Sequence, residues 1–311
     1  MRQQLINLLG NSINSIKSPK TLLRKIINKI QINFISSNHK DTNLDEDKLI
    51  KREFCLNTPA MVELENGLKL WGDLGDYAVS RAAMFGTYEP SETKYFQNLI
   101  PQLDDGMIID IGANIGWFTI LFAQSSRDVI AIEPRPNNFY YLKKNIETNQ
   151  LSNVELINSA VADVEGRGIV FVLPSAGNSG GTHFRSNPSP SFTNELMQKG
   201  YEINDVPIRL IDEIVSSRKV ALIKIDIEGA EPHALKGALN TLKISKPKIL
   251  CELNPICLRD NGSMKPEEFL GFMESLNYRS FILNEDGTQG DQIYKEWVFG
   301  NEWKNIIFTC L

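Results

Sequence analysis

The order of apolar runs and turns predicts an α/β fold built on a doubly wound, mostly parallel sheet. Three observations carry this expectation. At 107–123 the chain reads MIIDIGANIGWFTILFA: a buried-type strand, a glycine-containing turn and an apolar-rich helix. A second strand, DVIAIE, follows at 128–133, and a fourth, in VALIKIDIEGAE at 220–231, is read as a mainly apolar run up to Ile225. Strands that alternate with helices pair in parallel and are covered on both faces. The 311 residues, 42% hydrophobic and 23% charged, are enough to bury a substantial core and exclude collagen-like, disulfide-scaffold and wholly disordered classes.

Before the sheet, residues 1–40 hold seven Lys and Arg and no acid, although the whole chain has a net charge of −5. From Ser18-Pro19 onward, Leu22, Leu23, Ile26, Ile27 and Ile30 recur at helical spacing opposite Arg24, Lys25 and Lys29. A basic amphipathic helix of this kind can pack on its own body, join a homodimer, or meet an anionic membrane face or partner. The polar stretch 36–49 reads as a linker, so residues 1–55 are an arm and 56–311 the main domain. No run is long and apolar enough for a transmembrane helix, and the N-terminus lacks a signal-peptide core. The expected location is cytoplasmic, with peripheral attachment to the inner membrane face through the arm left open. The acidic body gives no footprint for nucleic acid. Cys55, Cys251, Cys257 and Cys310 have no CxxC spacing and read as free thiols.

Within 56–100, Glu65-Asn66-Gly67 between Met61–Leu64 and Leu68–Trp71 predicts a hairpin, and GTYEPSETKYFQNLI at 86–100 predicts a leading helix. The strand 107–111 then delivers the turn Asp110, Gly112, Ala113, Asn114 and Gly116. Glycines there let the loop backbone approach a ligand at the carboxyl end of the sheet. Glu133, about twenty residues past the turn, is placed to accept hydrogen bonds from both hydroxyls of a ribose. DIGANIG lacks the three-glycine spacing of a dinucleotide fold, and Asp110 would repel a pyrophosphate while suiting an ammonium group. A ligand with a ribose and a cation is indicated, and S-adenosylmethionine has both. A third strand, read over 153–163, brings Asp163 to the same edge, where it is either an acceptor for the adenine amine or a surface turn residue.

DIGANIGWFT (110–119), AIEPRPNNFYYLKKNIETN (131–149), NSGGTHF (178–184), LIKIDIEGAEPHALKGA (222–238) and KPKILCELNP (246–255) together resemble the FkbM family of S-adenosylmethionine-dependent methyltransferases. GTYEPSE (86–92) also fits, and residues 1–55 lie outside the resemblance. It implies a class I, Rossmann-like methyltransferase domain: a seven-stranded sheet with an antiparallel last strand, acting mainly on hydroxyls of sugars or other secondary metabolites. The expected acceptor is a hydroxyl-bearing small molecule or carbohydrate. N-methylation, methylation of a polyketide hydroxyl, and a non-catalytic nucleoside-binding partner of a glycan pathway are the alternatives.

An alcohol is a poor nucleophile until its proton begins to leave, so a base is expected beside the acceptor. Asp226, at the end of the fourth strand, is the first candidate, and the DxEGxE pattern of the resemblance points the same way. Three carboxylates at this strand end, Asp226, Glu228 and Glu231, predict a wet, functional edge. Glu231 is either a second catalytic acid or a helix N-terminal acid complementing the dipole. His183, in a loop expected over 177–195, is either a base carried on a lid or a solvated histidine. His233 reads as a helix-face residue. A Mg²⁺ held by Asp226, Glu228, Glu231 and Glu252 is left open and not favoured. Strands are expected at 248–253, 278–283 and 305–310, with a helix at 264–276. Trp297, Phe299 and Trp303 are read as capping the core rather than stacking on a sugar ring.

Overall fold

The computed structural model describes residues 59–64, 66–73, 76–172, 181–297 and 300–310. The arm helix, the linker, Cys55, Phe299 and the first three residues of the NSGGTHF motif lie outside them. The described residues fall into two compact units, 59–88 and those from Glu89 onward.

In the first unit, β1 (Pro59–Glu63) and β2 (Lys69–Asp73) form the expected antiparallel hairpin, with Met61 opposite Trp71. Gly67 has φ +82°, a conformation glycine adopts without strain, and Asn66 Oδ1 accepts the Leu68 N–H across the turn. Helix α1 (Tyr77–Phe85), absent from the sequence reading, starts at Asp76, whose carboxylate accepts the Ala78 N–H. An aspartate and a closing glycine at 86 are its signals.

The second unit opens with α2 (Pro90–Leu99), inside the expected span and with proline at its first position. Then follow β3 (Met107–Ile111), α3 (Trp117–Ala123), β4 (Val129–Ile132), α4 (Pro136–Thr148) and β5 (Val154–Ile157). β3 and β4 are buried throughout, as strands covered on both faces must be. After the excursion described below come α6 (Ile211–Val215), β10 (Val220–Ile225), α7 (Glu231–Lys236), α8 (Leu239–Ser245) and β11 (Lys248–Leu253). Helices α9 (Pro255–Asp260) and α10 (Pro266–Ser275) lead to β12 (Tyr278–Leu283), β13 (Gln289–Ile293) and β14 (Lys304–Cys310).

The main sheet has the order β13-β12-β14-β11-β10-β3-β4-β5. β5, β4, β3, β10 and β11 are parallel, and β14 inserts antiparallel between β11 and β12. This is the expected doubly wound, mostly parallel sheet with an antiparallel last strand. It has eight strands rather than the expected seven, because β13, not expected from the sequence, folds back on β12 as an antiparallel edge strand. The polar run 284–291 hides β13: only Ile293 of that strand is buried, so it carries no apolar pattern. The core runs along one face from Met107 and Ile109 through Ile223 and Ile249 to Phe308, with Leu235, Leu242 and Phe269 from the covering helices.

Two further expectations are corrected. The strand predicted over 153–163 breaks after Ile157; its second part, β6 (Ala160–Val161), leaves the main sheet and pairs with β9 (Glu202–Arg209). The loop predicted over 177–195 contains β8 (His183–Ser186) and the first part of α5 (Pro190–Gln198) among its described residues. With β7 (Gly166–Val172) these make a second, four-stranded sheet of order β6-β9-β7-β8. Gly, Ser, Asn and Pro suggested a loop, but Phe184 alternates onto the core of Val170 and Val206, and Ser189 caps α5.

Candidate active site

The turn after β3 packs directly against the turn after β10. Gly112 has φ +77°, and a β-carbon there would overlap the carbonyl oxygen of Asp226. Glycine is therefore required for two strand ends to meet as well as for a turn. Gly116, at the start of α3 with φ +94°, would set a β-carbon 2.6 Å from Leu142 Cδ1, so its close neighbour is helix α4 rather than a strand. Asp110 is 1% exposed; Thr119 Oγ1 donates to its Oδ2 at 2.6 Å, and its Oδ1 has no partner.

Glu133 follows β4 and is 4% exposed. Its Oε2 accepts the Asn114 N–H at 2.9 Å and its Oε1 the Arg135 N–H at 2.8 Å. Burial pushes this carboxyl up to about 7, against the pull of the two N–H groups. The carboxylate thus fixes the β3 turn to the start of α4. Asn114, with φ +52°, is a non-glycine residue in the left-handed region, and its Oδ1 is buried without a partner.

Beyond β10, an open cleft of about 350 Å³ including the solvent at its mouth is lined by Glu89, Glu92, Asp226, Glu252, Lys224 and Trp303. Lys224, missed by the sequence reading, is its buried cation. It lies opposite Asp110 in the strand register, its Nζ is 3.4 Å from Asp226 Oδ2, and it sits 5.3 Å from the Phe118 ring centre. Burial pulls the ammonium down, but the carboxylates of Asp226, Asp110 and Glu89 outweigh it, and its pKa lies above the usual lysine value. A charged residue in an otherwise apolar parallel strand was the available signal. Glu92 and Asn305 were also missed; Asn305 donates to Glu92 Oε1, and it stands opposite Glu252 in the β11–β14 register. No local spacing announces a partnership across more than 200 residues. Trp303, 59% exposed, stands at the cleft and does not cap the core; Trp297 is exposed as well.

The turn 226–231 is not the uniformly wet edge expected from its three acids. Glu231 is 1% exposed; its Oε1 accepts the N–H groups of Ile227 at 3.0 Å and Gly229 at 3.2 Å, while Oε2 has no partner. Burial pushes it up to about 7. It holds the turn that carries Asp226. Glu228 has φ +54° and is also raised to about 7, by burial first and then by Asp226. Asp226 itself is partly exposed to the cleft.

His183 is not delivered on a lid. It lies on β8, against Phe171, and Asn261 Nδ2 stands 3.1 Å from its Nδ1 and 2.7 Å from the Glu228 carbonyl oxygen. An amide nitrogen is needed to reach that carbonyl, so Nδ2 is the donor and His183 Nδ1 the acceptor. The histidine is therefore neutral with its proton on Nε2, and burial lowers its pKa. Asp163 follows β6 rather than a main-sheet strand and is half-exposed, with Oδ1 3.2 Å from His233 Nδ1. The structure thus brings Asp110, Gly112, Ala113, Asn114 and Glu133 to one place and Asp226 and Glu231 to the adjoining turn, and holds Asp163 and His183 by the second sheet. Among the described residues, no group of three or more His, Cys, Asp or Glu is arranged to hold a metal ion.

Residues 110–280, which contain both turns, match the model of the methyltransferase FkbM domain. Methyltransferase 1 of Beauveria bassiana is 29% identical over 154 residues, 45% of this chain and 61% of that protein. The hexuronic acid methyltransferase AglP of Haloferax volcanii is 28% identical over 145 residues, 45% of this chain and 53% of that one. The crystal structure of methyltransferase FkbM from Methylobacillus flagellatus is 19% identical, with a TM-score of 0.42, over 71% of this chain and 48% of that one. The chain thus spans between about half and three fifths of the length of these relatives. The match over more than half of its residues makes this chain a member of the FkbM methyltransferase family.

Proposed function

We propose that the protein transfers a methyl group from S-adenosylmethionine to a hydroxyl of a sugar or glycosylated metabolite. The observation that carries this reading is the pair of carboxylates on either side of the β3 turn: Glu133, buried and pinned by two N–H groups, and Asp226, open to a cleft. Each Glu133 oxygen uses one acceptor site on the backbone and keeps another for a ribose hydroxyl. The unpartnered Asp110 Oδ1 and Asn114 Oδ1 are further acceptors that suit a ligand rich in N–H and O–H donors. These residues fit the cofactor.

When bound, S-adenosylmethionine supplies a methyl group on a sulfonium, whose transfer to an alcohol leaves a thioether, an ether and one proton. Asp226 takes that proton as the hydroxyl becomes a nucleophile. Lys224 keeps the Asp226 carboxylate oriented and compensates the charge gathered in the cleft. Glu231 fixes the turn so that Asp226 faces the cleft. The name of the Haloferax relative supports a sugar acceptor. Asp226→Asn is expected to cut methyl transfer by roughly 10²–10⁴-fold, the usual contribution of a positioned base, while S-adenosylhomocysteine still binds. Unchanged transfer by that variant would remove Asp226 from the chemistry.

A further inference from the structure

The cleft lies over one face of three neighbouring strands. Side chains two residues apart share a face, and three such pairs line it: Lys224 and Asp226 at the end of β10, Leu250 and Glu252 on β11, and Trp303 and Asn305 at the start of β14. β14 runs antiparallel to β11, with Asn305 opposite Glu252 and Lys304 opposite Leu253, so Trp303 stands just beyond the carboxyl end of β11. From Asp226 across β11 to β14 is two strand spacings, roughly 10 Å, about the span of one pyranose with its hydroxyls. Trp303 is thus an exposed aromatic at the far wall of the cleft that Asp226 opens into. Between the two stand groups that both donate and accept. The Asn305 amide has two N–H groups and an oxygen, and one N–H goes to Glu92 Oε1. Glu252, pushed up to about 9 by burial first and then by Asp226, keeps a proton to donate. A flat aromatic acceptor would cover the indole but dry out the acid and the amide without pairing them. A pyranose has a C–H face for the ring and hydroxyls at its edge for both.

Building on the methyltransferase reading, we propose that Trp303 sets acceptor specificity: its indole takes the C–H face of the pyranose that is methylated, while Glu252 and Asn305 bind hydroxyls at the edge of that ring.

The test is transfer kinetics with the full chain, S-adenosylmethionine carrying a labelled methyl group, and methyl glycosides of the gluco, galacto, manno and xylo series, with p-cresol as the planar rival. For at least one glycoside, Trp303→Ala is expected to raise KM about tenfold and to keep kcat within about threefold, the pattern of lost binding common to ground and transition states. Trp303→Phe is expected to bring KM back to within about threefold of the parent, and Trp297→Ala, an exposed tryptophan outside the cleft lining, to change neither constant. Because Trp303 is exposed, the alanine variant is expected to melt within about 2 °C of the parent. With S-adenosylhomocysteine bound, saturation by that glycoside is expected to shift the tryptophan emission of the parent, and Trp303→Phe to abolish most of the shift. A KM unmoved by Trp303→Ala, or an emission shift that survives Trp303→Phe, overturns the proposal and leaves sugar methylation standing. Transfer to p-cresol alone, or to no acceptor while S-adenosylhomocysteine binds in calorimetry, overturns the proposal together with the sugar acceptor. Failure of S-adenosylhomocysteine to bind would instead overturn the cofactor reading.

Discussion

Glu133 shows how much one side chain is asked to do. It is buried, raised to about 7, and still accepts two backbone N–H groups, so exchanging it for a neutral isostere keeps the shape and removes the charge-assisted bonds. Glu133→Gln is expected to weaken S-adenosylhomocysteine binding by roughly 10–100-fold, the scale of one or two hydrogen bonds to a charged group, in a calorimetric titration. Gly112→Ala is expected to destabilise the fold by about 2 kcal/mol or more, since it combines a positive φ with an overlap against the Asp226 carbonyl. Denaturant unfolding would measure it. At this scale the sequence was legible for position: Glu133 and Asp226 stand directly after the strands β4 and β10, as expected. It was not legible for Lys224, whose partners come from two other segments, nor for the Asn305–Glu92 contact.

At the scale of the element, β10, its turn and α7 form one device. Glu231 opens the helix yet bonds backward to Ile227 and Gly229, so the helix start and the turn are one rigid unit. Asn261, from the end of α9, holds the Glu228 carbonyl and His183 together. Glu231→Gln keeps an oxygen for the two N–H groups and is expected to retain most of the wild-type kcat. Glu231→Ala leaves them unsatisfied and is expected to lower kcat by roughly tenfold or more, with stability reduced by about 1–3 kcal/mol. Steady-state kinetics beside thermal melts would separate the two. The strands of the main sheet were readable because buried parallel strands are continuous apolar runs. The second sheet was not: its β8 and α5 use polar, proline-containing segments, and β6 continues an apolar run whose change of sheet depends on β9, more than 40 residues away.

Raised carboxyls gather at the carboxyl ends of β4, β10 and β11. Glu133, Glu228 and Glu231 at about 7 and Glu252 at about 9 all lie above the ordinary value of 4.5. A carboxyl raised in the folded state contributes stability that is full below its unfolded pKa and is lost as pH rises through the folded one. The ligand-free protein is therefore expected to have its highest Tm near pH 5, falling progressively from there to about pH 9, as thermal melts across that range would show. A flat or rising profile would mean these groups are not protonated in the fold. No described helix is long and apolar enough to cross a membrane.

The central claim is a methyl transfer to oxygen, run by Asp226 beside a cofactor held by Glu133. Incubating the full chain with S-adenosylmethionine carrying a labelled methyl group and a panel of hexose, hexosamine, N-acetylhexosamine and hexuronate glycosides, then mapping the label by tandem mass spectrometry, tests it most directly. The account predicts one labelled methyl per turnover on a ring hydroxyl, lost together with the Asp226 carboxylate. Label on the amine nitrogen, or none on any sugar, would contradict it.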